Sequence, residues 1–318
     1  TEAAMSLYKN YEQIVRPQNI MEEVCFIILE IFPDFDFSQI LSIYQDIFKL
    51  FNGDFIGYRK CNTRYHDFRH TEDCTLEFAR IAHGAFINGQ KISKKGLNLG
   101  LISALMHDTG YIQRFNDSLG TGGKYTITHV GRSIDFIRRY FFIKGYSSED
   151  FNFCKNCLKC TGLNVNIKEI VFQSEENELM GKILGVADLI GQMADWCYLE
   201  KLPFLFEEYH EAQMSEFESE LDLLKKTPDF WKFSQNRFKK ELGNVDHFLK
   251  DHFKERWGID RDLDREAIEF NITRLTHILE YFPDDYRKYL SRHNLPEQFS
   301  LPLPSGVGTV IPQEDHGK

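Results

Sequence analysis

Four residues of types that bind metal ions stand in segments of helical pattern, and the last three of them follow or interrupt apolar runs: His70, His107, Asp108 and Asp188. A charge buried alone in such a segment would cost several kcal/mol or would be neutralised by a shift in its pKa. Binding to a shared divalent ion removes that cost. Two imidazoles and two carboxylates form a mixed nitrogen and oxygen set that suits Mn, Mg, Zn, Fe or Co without selecting one. The pattern therefore predicts a site for one or two metal ions.

Such a site leaves coordination positions for water and for a phosphate oxygen. A bound ion would lower the pKa of the water and polarise the phosphorus atom, which is metal-assisted hydrolysis. His66 lies four residues before His70, a spacing that places both imidazoles on one face of a helix. Either imidazole could bind metal or transfer a proton. We expect Asp108 to take part in catalysis as well as in metal binding.

A glycine-rich loop at residues 120–123 precedes Lys124 and could fold over a phosphate group through its backbone N–H groups. Gln192 follows Asp188 by one helical turn, so that Gln192 or Asp195 could face the same pocket. Three positively charged side chains close to these motifs could also bind a phosphate; they are Arg69, Lys124 and Arg132.

Three cysteines, Cys154, Cys157 and Cys160, are spaced so that a helix would place them on one side. A metal role would need a fourth ligand, and free cysteine is commonly an apolar residue of the core. The pattern leaves their role open.

The composition limits the class of protein. The net charge of −10 disfavours a nucleic-acid groove, although a metal ion can reverse the sign of the field inside a pocket. The apolar runs are too short to span a bilayer, and residues 1–10 lack the pattern of a signal peptide. Seven cysteines without the spacing of a small disulfide scaffold favour reduced thiols and a cytoplasmic setting.

Hydrophobic periodicity predicts an all-α fold with almost no strands. We expect three regions in one continuous domain: a helical cap at 1–60, the metal-site core at 61–200 and helices packed on that core at 201–300. Residues 301–318 show no hydrophobic periodicity, which predicts an extended or disordered tail. The predicted helices are Met21–Phe32, Ser38–Phe51, Arg69–Phe86, Gly96–His107, Thr128–Phe142, Glu176–Glu200, Leu205–Lys226, Asp229–Lys254 and Asp264–Arg292.

The order of a histidine, a His-Asp pair and a distant aspartate on helices resembles the HD superfamily of metal-dependent phosphohydrolases. The motif Tyr65-His66-xxx-His70-xx-Asp73 is similar to that of cyclic-nucleotide phosphodiesterase catalytic domains, and the resemblance covers roughly residues 60–195. It implies a multi-helix bundle like that of these phosphodiesterases, with additional helices at both ends. It also implies that His66 is the general acid, which protonates the leaving oxygen, and that His70 binds metal.

The resemblance implies two further site residues. Asn116 resembles a position of that family and is a candidate substrate contact. In HD proteins with two metal ions, extra histidines follow the His-Asp pair, which makes His129 a candidate for a second ion or for holding a phosphate. The chain also departs from the phosphodiesterases, since it has Tyr111 where they have another histidine and lacks a counterpart of their purine-clamping glutamine.

These observations predict a phosphohydrolase that acts on a small phosphorylated substrate, either a phosphodiester or a nucleotide-like molecule. Two alternatives stay open. One is an HD module that binds a nucleotide without turnover, and the other is a di-iron HD oxygenase. We expect no membrane partner, and a homodimer is compatible with the sequence.

Overall fold

The computed structural model describes residues 14–292, and every structural statement below concerns that range. Within it the chain forms helices and one isolated bridge between Tyr58 and Arg114, so the predicted all-α class is confirmed. The predicted tail at 301–318 and the first residues of the predicted cap lie outside the described residues. The α-helices are α1 (Ile20–Ile31), α2 (Ser38–Asn52), α3 (Phe68–Ile87), α4 (Lys94–Met106), α5 (His129–Lys144), α6 (Ser148–Lys159), α7 (Glu175–Met193), α8 (Tyr198–Glu211), α9 (Glu220–Lys240), α10 (Phe248–Trp257), α11 (Leu263–Tyr281) and α12 (Tyr286–Leu290).

Helix α3 lies at the centre of the molecule and packs against α1, α4, α7 and α10. A helix that is enclosed by neighbours must be buried on nearly all sides, and α3 is buried almost continuously from His70 to Ala85. Helix α7 is buried in the same way over its second half. The three helices that meet here are those that carry the predicted metal ligands, because α3 holds His70, α4 leads into His107 and α7 holds Asp188.

Side-chain caps fix where these three helices begin. The Asp67 side chain accepts a hydrogen bond from the His70 N–H at 2.9 Å at the start of α3. Ser93 caps α4, and Ser174 caps α7 through the N–H of Asn177 at 3.1 Å. A cap of this kind satisfies an N–H group that the helix leaves free, and its loss costs about 1 kcal/mol. The caps therefore help to set the register of each ligand.

The predicted helix Glu176–Glu200 is wrong near its C-terminal end, where the structure has a break. Helix α7 ends at Met193, and a new helix begins at Tyr198. The break is stabilised by Asp195, whose carboxylate accepts a hydrogen bond from the N–H of Cys197 at 2.8 Å. A local bond from an aspartate to the backbone competes with helix continuation, and the apolar period alone does not reveal it.

The predicted helices Leu205–Lys226 and Asp229–Lys254 are also wrong in their boundaries. Residues 212–219 form a loop, and α9 then begins after Ser219, whose side chain accepts from the N–H of Asp222 at 3.2 Å. Pro228 lies between the two predicted helices, but α9 continues through it. The helix is not broken there because its apolar face is packed in the core on both sides of the proline.

The predicted helix Asp264–Arg292 is interrupted. Helix α11 ends at Tyr281, just before Pro283, and the short α12 follows it. The residue before a proline is disfavoured in helical conformation, which explains the break. No helix within the described range is both long enough and apolar enough to cross a bilayer.

The contact between α3 and α10 depends on a glycine. A Cβ atom at Gly84 would lie 1.9 Å from the carbonyl oxygen of Phe248, so Gly84→Ala should push the helices apart and lower the free energy of unfolding by about 1–3 kcal/mol. Gly131 in α5 is exposed with nothing near its Cβ position, and Gly131→Ala should instead add about 0.5–1 kcal/mol. Urea denaturation of both variants measures this. Equal stability of the two variants would contradict the packing described here.

Candidate metal centre

Four side-chain atoms from α3, α7 and the end of α4 converge in the buried core. The Nε2 atom of His70 lies 3.1 Å from Asp188 Oδ1 and 3.3 Å from Asp108 Oδ2. The Nε2 atom of His107 lies 3.2 Å from His70 Nε2, 3.3 Å from Asp108 Oδ2 and 3.6 Å from Asp188 Oδ1. The structure therefore brings the four predicted ligands together, although they are separated by up to 118 positions in the sequence, from His70 to Asp188.

The spacing of these atoms fits a metal ion. Ligand atoms about 2.1 Å from one ion stand about 3.0–3.4 Å apart at neighbouring tetrahedral or octahedral positions. Three of the four residues, His70, His107 and Asp108, form a group whose ligand atoms all lie within 4.8 Å of one another. The Oδ2 atom of Asp108 is buried and accepts no hydrogen bond from the described residues. A buried carboxylate oxygen without a donor is explained if its partner is a cation.

The orientation of the imidazoles also suits metal binding. The Nδ1 atom of His107 lies 2.8 Å from the carbonyl oxygen of Ala104, which requires the proton on Nδ1 and leaves the Nε2 lone pair free. Such a bond from the outer nitrogen is the usual support of a metal-binding histidine. Both ring Nε2 atoms thus face the two carboxylates.

The electrostatics of the cluster favour a cation. Burial opposes a positive charge on His70, but the contacts of its Nε2 atom with Asp108 and Asp188 and the charges of both carboxylates outweigh burial and raise the pKa of His70 to about 9. Burial likewise opposes the charge on Asp188, but its contacts with His107 and His70 hold the pKa of that carboxyl well below its usual range. The two carboxylates are therefore ionised at neutral pH.

His66 does not lie on α3 with His70, as the four-residue spacing predicted. Asp67 caps α3, so His66 is placed in the segment just before the helix. Its Nδ1 atom lies 2.6 Å from the Oε2 atom of Glu208, and its ring centroid is still only 5.8 Å from that of His70. His66 therefore reaches the centre from a different direction.

Glu208, on α8, was not predicted from the sequence. Its Oε1 atom accepts hydrogen bonds from the backbone N–H groups of Arg64 at 3.1 Å and Tyr65 at 2.9 Å, while Oε2 faces His66. The carboxylate thus fixes both the segment and the ring. The sequence contained one signal that could have identified Glu208. It lies three residues after Leu205, on the buried face of its helix, where an acidic side chain needs a partner.

His129 and Tyr111 line the same side of the centre. The Nδ1 atom of His129 lies 2.7 Å from the carbonyl oxygen of Thr126, and its Nε2 lies 3.7 Å from Asp108 Oδ1. The Tyr111 ring stacks on His66, with centroids 4.3 Å apart, and on His129, with centroids 4.7 Å apart. His129 is therefore close to the four ligands but outside their cluster.

Gln192 lies at the centre, and Asp195 does not. The Gln192 side chain donates to Asp188 Oδ1 at 2.7 Å and accepts from the Tyr65 hydroxyl at 3.1 Å. Asp195 instead forms ion pairs with Arg16 and Lys201, because the chain turns away after α7.

The predicted phosphate contacts are not brought to the centre. Lys124 pairs with Asp117, its Nζ lying 2.6 Å from Oδ1, and Arg69 lies 3.4 Å from the Asp73 carboxylate. Asn116 is exposed on a loop. Each of these polar side chains is engaged locally or faces solvent, and none lines the cavity beside the centre.

Two further candidates for phosphate binding are used within the protein. Arg132 donates to the carbonyl oxygens of Gly110 at 2.6 Å and Ile112 at 3.0 Å. In the glycine-rich loop, Thr121 N–H donates to Glu211 at 2.5 Å and Gly122 N–H donates to an Asn62 oxygen at 2.9 Å. The backbone donors of the loop are therefore committed to protein groups.

The three spaced cysteines do not converge on a common point. The Cys154 thiol donates to the Leu99 carbonyl oxygen at 3.5 Å, and the Cys160 thiol donates to that of Asn156, also at 3.5 Å. Burial raises the pKa of Cys154 to about 12, so that thiol is protonated. These contacts are those of core residues.

A cavity of about 560 Å³ opens beside the centre. The centre contributes Asp108, Asp188, His66 and His129 to one wall, while α8, α9 and the loop between them form much of the remainder. The volume is within the range of small-molecule sites, about 300–1,000 Å³.

Comparison with known proteins gives one partial match. A family model described as Npun_R2479-like matches residues 118–248, a stretch that contains His129, Asp188 and Glu208 but not His70, His107 or Asp108. No curated protein and no solved structure matches the chain. The description of the family names no activity.

The metal centre can be tested by metal content. Asp188→Asn keeps the shape of the side chain but removes its charge, so the purified variant should retain less than a tenth of the Mn²⁺ or Zn²⁺ that the unaltered protein binds after dialysis, measured by plasma mass spectrometry. Asp135→Asn, which changes an exposed carboxylate of α5, is the matched control and should bind as much metal as the unaltered protein. Full metal content in the Asp188 variant would contradict the assignment.

Proposed function

We propose that this protein is a metal-dependent phosphohydrolase of the HD type. The observation that carries the proposal is the convergence of two imidazoles and two ionised carboxylates at ion-binding distances beside a cavity. His70, His107, Asp108 and Asp188 would hold a divalent ion. When bound, the ion lowers the pKa of a water molecule and stabilises negative charge on the phosphoryl oxygens.

His66 supplies the proton for the leaving group in this proposal. Its Nδ1 atom is engaged by Glu208, and its Nε2 atom lies 3.5 Å from the Tyr111 hydroxyl, next to the cavity that His66 helps to line. Hydrolysis joins the water oxygen to phosphorus and breaks the ester P–O bond. The leaving oxygen takes a proton from His66, and the proton that water loses passes to Asp108, which also lines the cavity.

Glu208 is the positioning residue for this proton transfer. Because its carboxylate accepts from Nδ1, it fixes the ring with Nε2 directed to the substrate side. A Glu208→Gln side chain would keep an oxygen for the backbone N–H groups of Arg64 and Tyr65 but would present an NH₂ group to Nδ1. The Nδ1 atom would then have to accept a hydrogen bond, and the charge that supports the ring would be lost.

The other hypotheses receive less support. A di-iron oxygenase requires a complete second set of ligands, and the chain has Tyr111 where the phosphodiesterases have another histidine. A module that binds without turnover would not need the His66–Glu208 pair next to the metal ligands.

Glu208→Gln tests the proposal directly. General acid catalysis contributes about 10²–10⁴-fold when the leaving group needs a proton, so we expect kcat for a phosphoester with an alkyl leaving group, such as ethyl phosphate, to fall about 100-fold or more. Metal content should stay unchanged, because Glu208 does not contact the ion site. The control is Glu207→Gln, which makes the same change at the exposed neighbour and should retain full activity.

Two results would count against the proposal. Activity of Glu208→Gln equal to that of the Glu207→Gln control would remove His66 from the proton transfer. An unaltered protein that is loaded with Mn²⁺ or Mg²⁺ and releases no phosphate from any phosphoester would overturn the phosphohydrolase assignment itself.

A further inference from the structure

The cavity beside the metal centre is unlike a nucleotide site in its charge. Four carboxylates line it, those of Asp108, Asp188, Glu216 and Asp229, against the ammonium group of Lys226. No arginine is among the described residues of the lining. A divalent ion would balance two of the negative charges. Glu216 and Asp229 are exposed at the rim, and Asp229 pairs with Lys232 at 2.9 Å. With the ion bound, the lining is close to neutral and offers no surplus positive charge for a chain of two or three phosphates.

The one lysine of the lining is already used. Its Nζ donates to the Asp222 carboxylate at 2.8 Å and to the Glu216 carbonyl oxygen at 3.0 Å, and half of the side chain is exposed. Lys226 therefore belongs to the rim, on α9. The described lining thus offers no cation that is free to bind a second phosphate group.

Four of the polar side chains of the lining are engaged within the protein. Gln192 uses both ends of its amide, as described above. The hydroxyl groups of Thr126, Thr161 and Thr227 donate to backbone carbonyl oxygens at 2.7, 2.9 and 2.9 Å. Asn164 is exposed. A nucleobase needs several donors and acceptors in fixed positions, and leaving them unpaired on burial costs binding free energy.

The rest of the wall is apolar. Helix α8 presents Leu202 and Leu205, and α7 presents Leu189; α9 presents Leu223, Phe230 and Phe233. These side chains share the cavity with an ion site that can hold one anionic group.

We propose that the substrate is an amphiphile: a phosphoester with a single phosphate group and an apolar alkyl or aryl group that fills this cavity. This inference rests on the proposed phosphohydrolase function and replaces the nucleotide-like substrate expected from the sequence. The phosphate lies at the ion site and His66, and the apolar group lies against α8 and α9. Hydrolysis releases the apolar alcohol and inorganic phosphate, with water as the only co-reactant.

A series of alkyl phosphates from ethyl to octyl phosphate tests the proposal through phosphate release by the Mn²⁺-loaded protein. Each methylene that is transferred from water to an apolar wall favours binding about fourfold. We therefore expect kcat/KM to rise several-fold for each added methylene until the cavity is full, and to exceed the value for AMP and ATP. A value for AMP or ATP above that for octyl phosphate, or no dependence on chain length, would overturn the proposal.

A binding measurement separates this inference from the proposed reaction. Octylphosphonate has a P–C bond that is not hydrolysed, and calorimetry should give a dissociation constant at least tenfold lower than that of AMP. If octylphosphonate binds but no ester is cleaved, the phosphohydrolase assignment fails while the preference of the cavity for an amphiphile stands. If AMP binds more tightly, the amphiphile proposal fails, whatever the reaction.

A substitution in the apolar wall locates the binding site. Phe230 is only partly buried, so Phe230→Glu should fold, and it places another negative charge against the alkyl group. We expect kcat/KM for octyl phosphate to fall at least tenfold more than that for ethyl phosphate. The control Phe142→Glu makes the same change on the exposed surface of α5 and should alter neither value. Equal losses on both substrates in Phe230→Glu would place the alkyl group elsewhere.

Discussion

The arrangement of the whole core depends on two ionised carboxylates and two imidazoles that meet where three helices converge. Burial opposes the charge of every member, and only their mutual attraction compensates it. A divalent ion is a better partner than the imidazolium groups, since it satisfies the buried Asp108 oxygen that accepts no hydrogen bond. The helices must therefore be fixed closely enough that four atoms stay at ion-binding distances.

The packing of α3 against α7 shows how the chain achieves this precision. A Cβ atom at Gly191 would lie only 3.0 Å from the backbone nitrogen of Cys74, so the two helices approach closely next to His70 and Asp188. The surrounding side chains are apolar and buried, and the N-terminal caps set the register. The ligands therefore lie on rigid elements, whereas the Glu208–His66 pair ties the segment before α3 to α8. The four clustered side chains and His66 are thus positioned by different contacts.

The sequence was sufficient for the all-α class and for predicting that His70, His107, Asp108 and Asp188 come together, because buried polar residues need partners. The boundaries of the first five helices and the start of α7 were predicted well, and the later boundaries were predicted poorly. In the later part of the chain, the hydrogen bond from the Cys197 N–H to Asp195 ends one helix, and the packed face around Pro228 continues another. Hydrophobic periodicity alone predicts neither. Glu208 was missed because the contact joins positions 142 residues apart. The position of Lys124 away from the cavity has a related reason: its charge is paired with that of Asp117, a pairing that composition does not reveal.

The central claim is that one ion binds among these four side chains. Crystals grown with Mn²⁺ and measured for anomalous scattering test it most directly. The account predicts a peak about 2.2 Å from His70 Nε2, His107 Nε2, Asp108 Oδ2 and Asp188 Oδ1. Density that shows the four side chains bonded only to one another, with Mn²⁺ bound elsewhere or not at all, would contradict it.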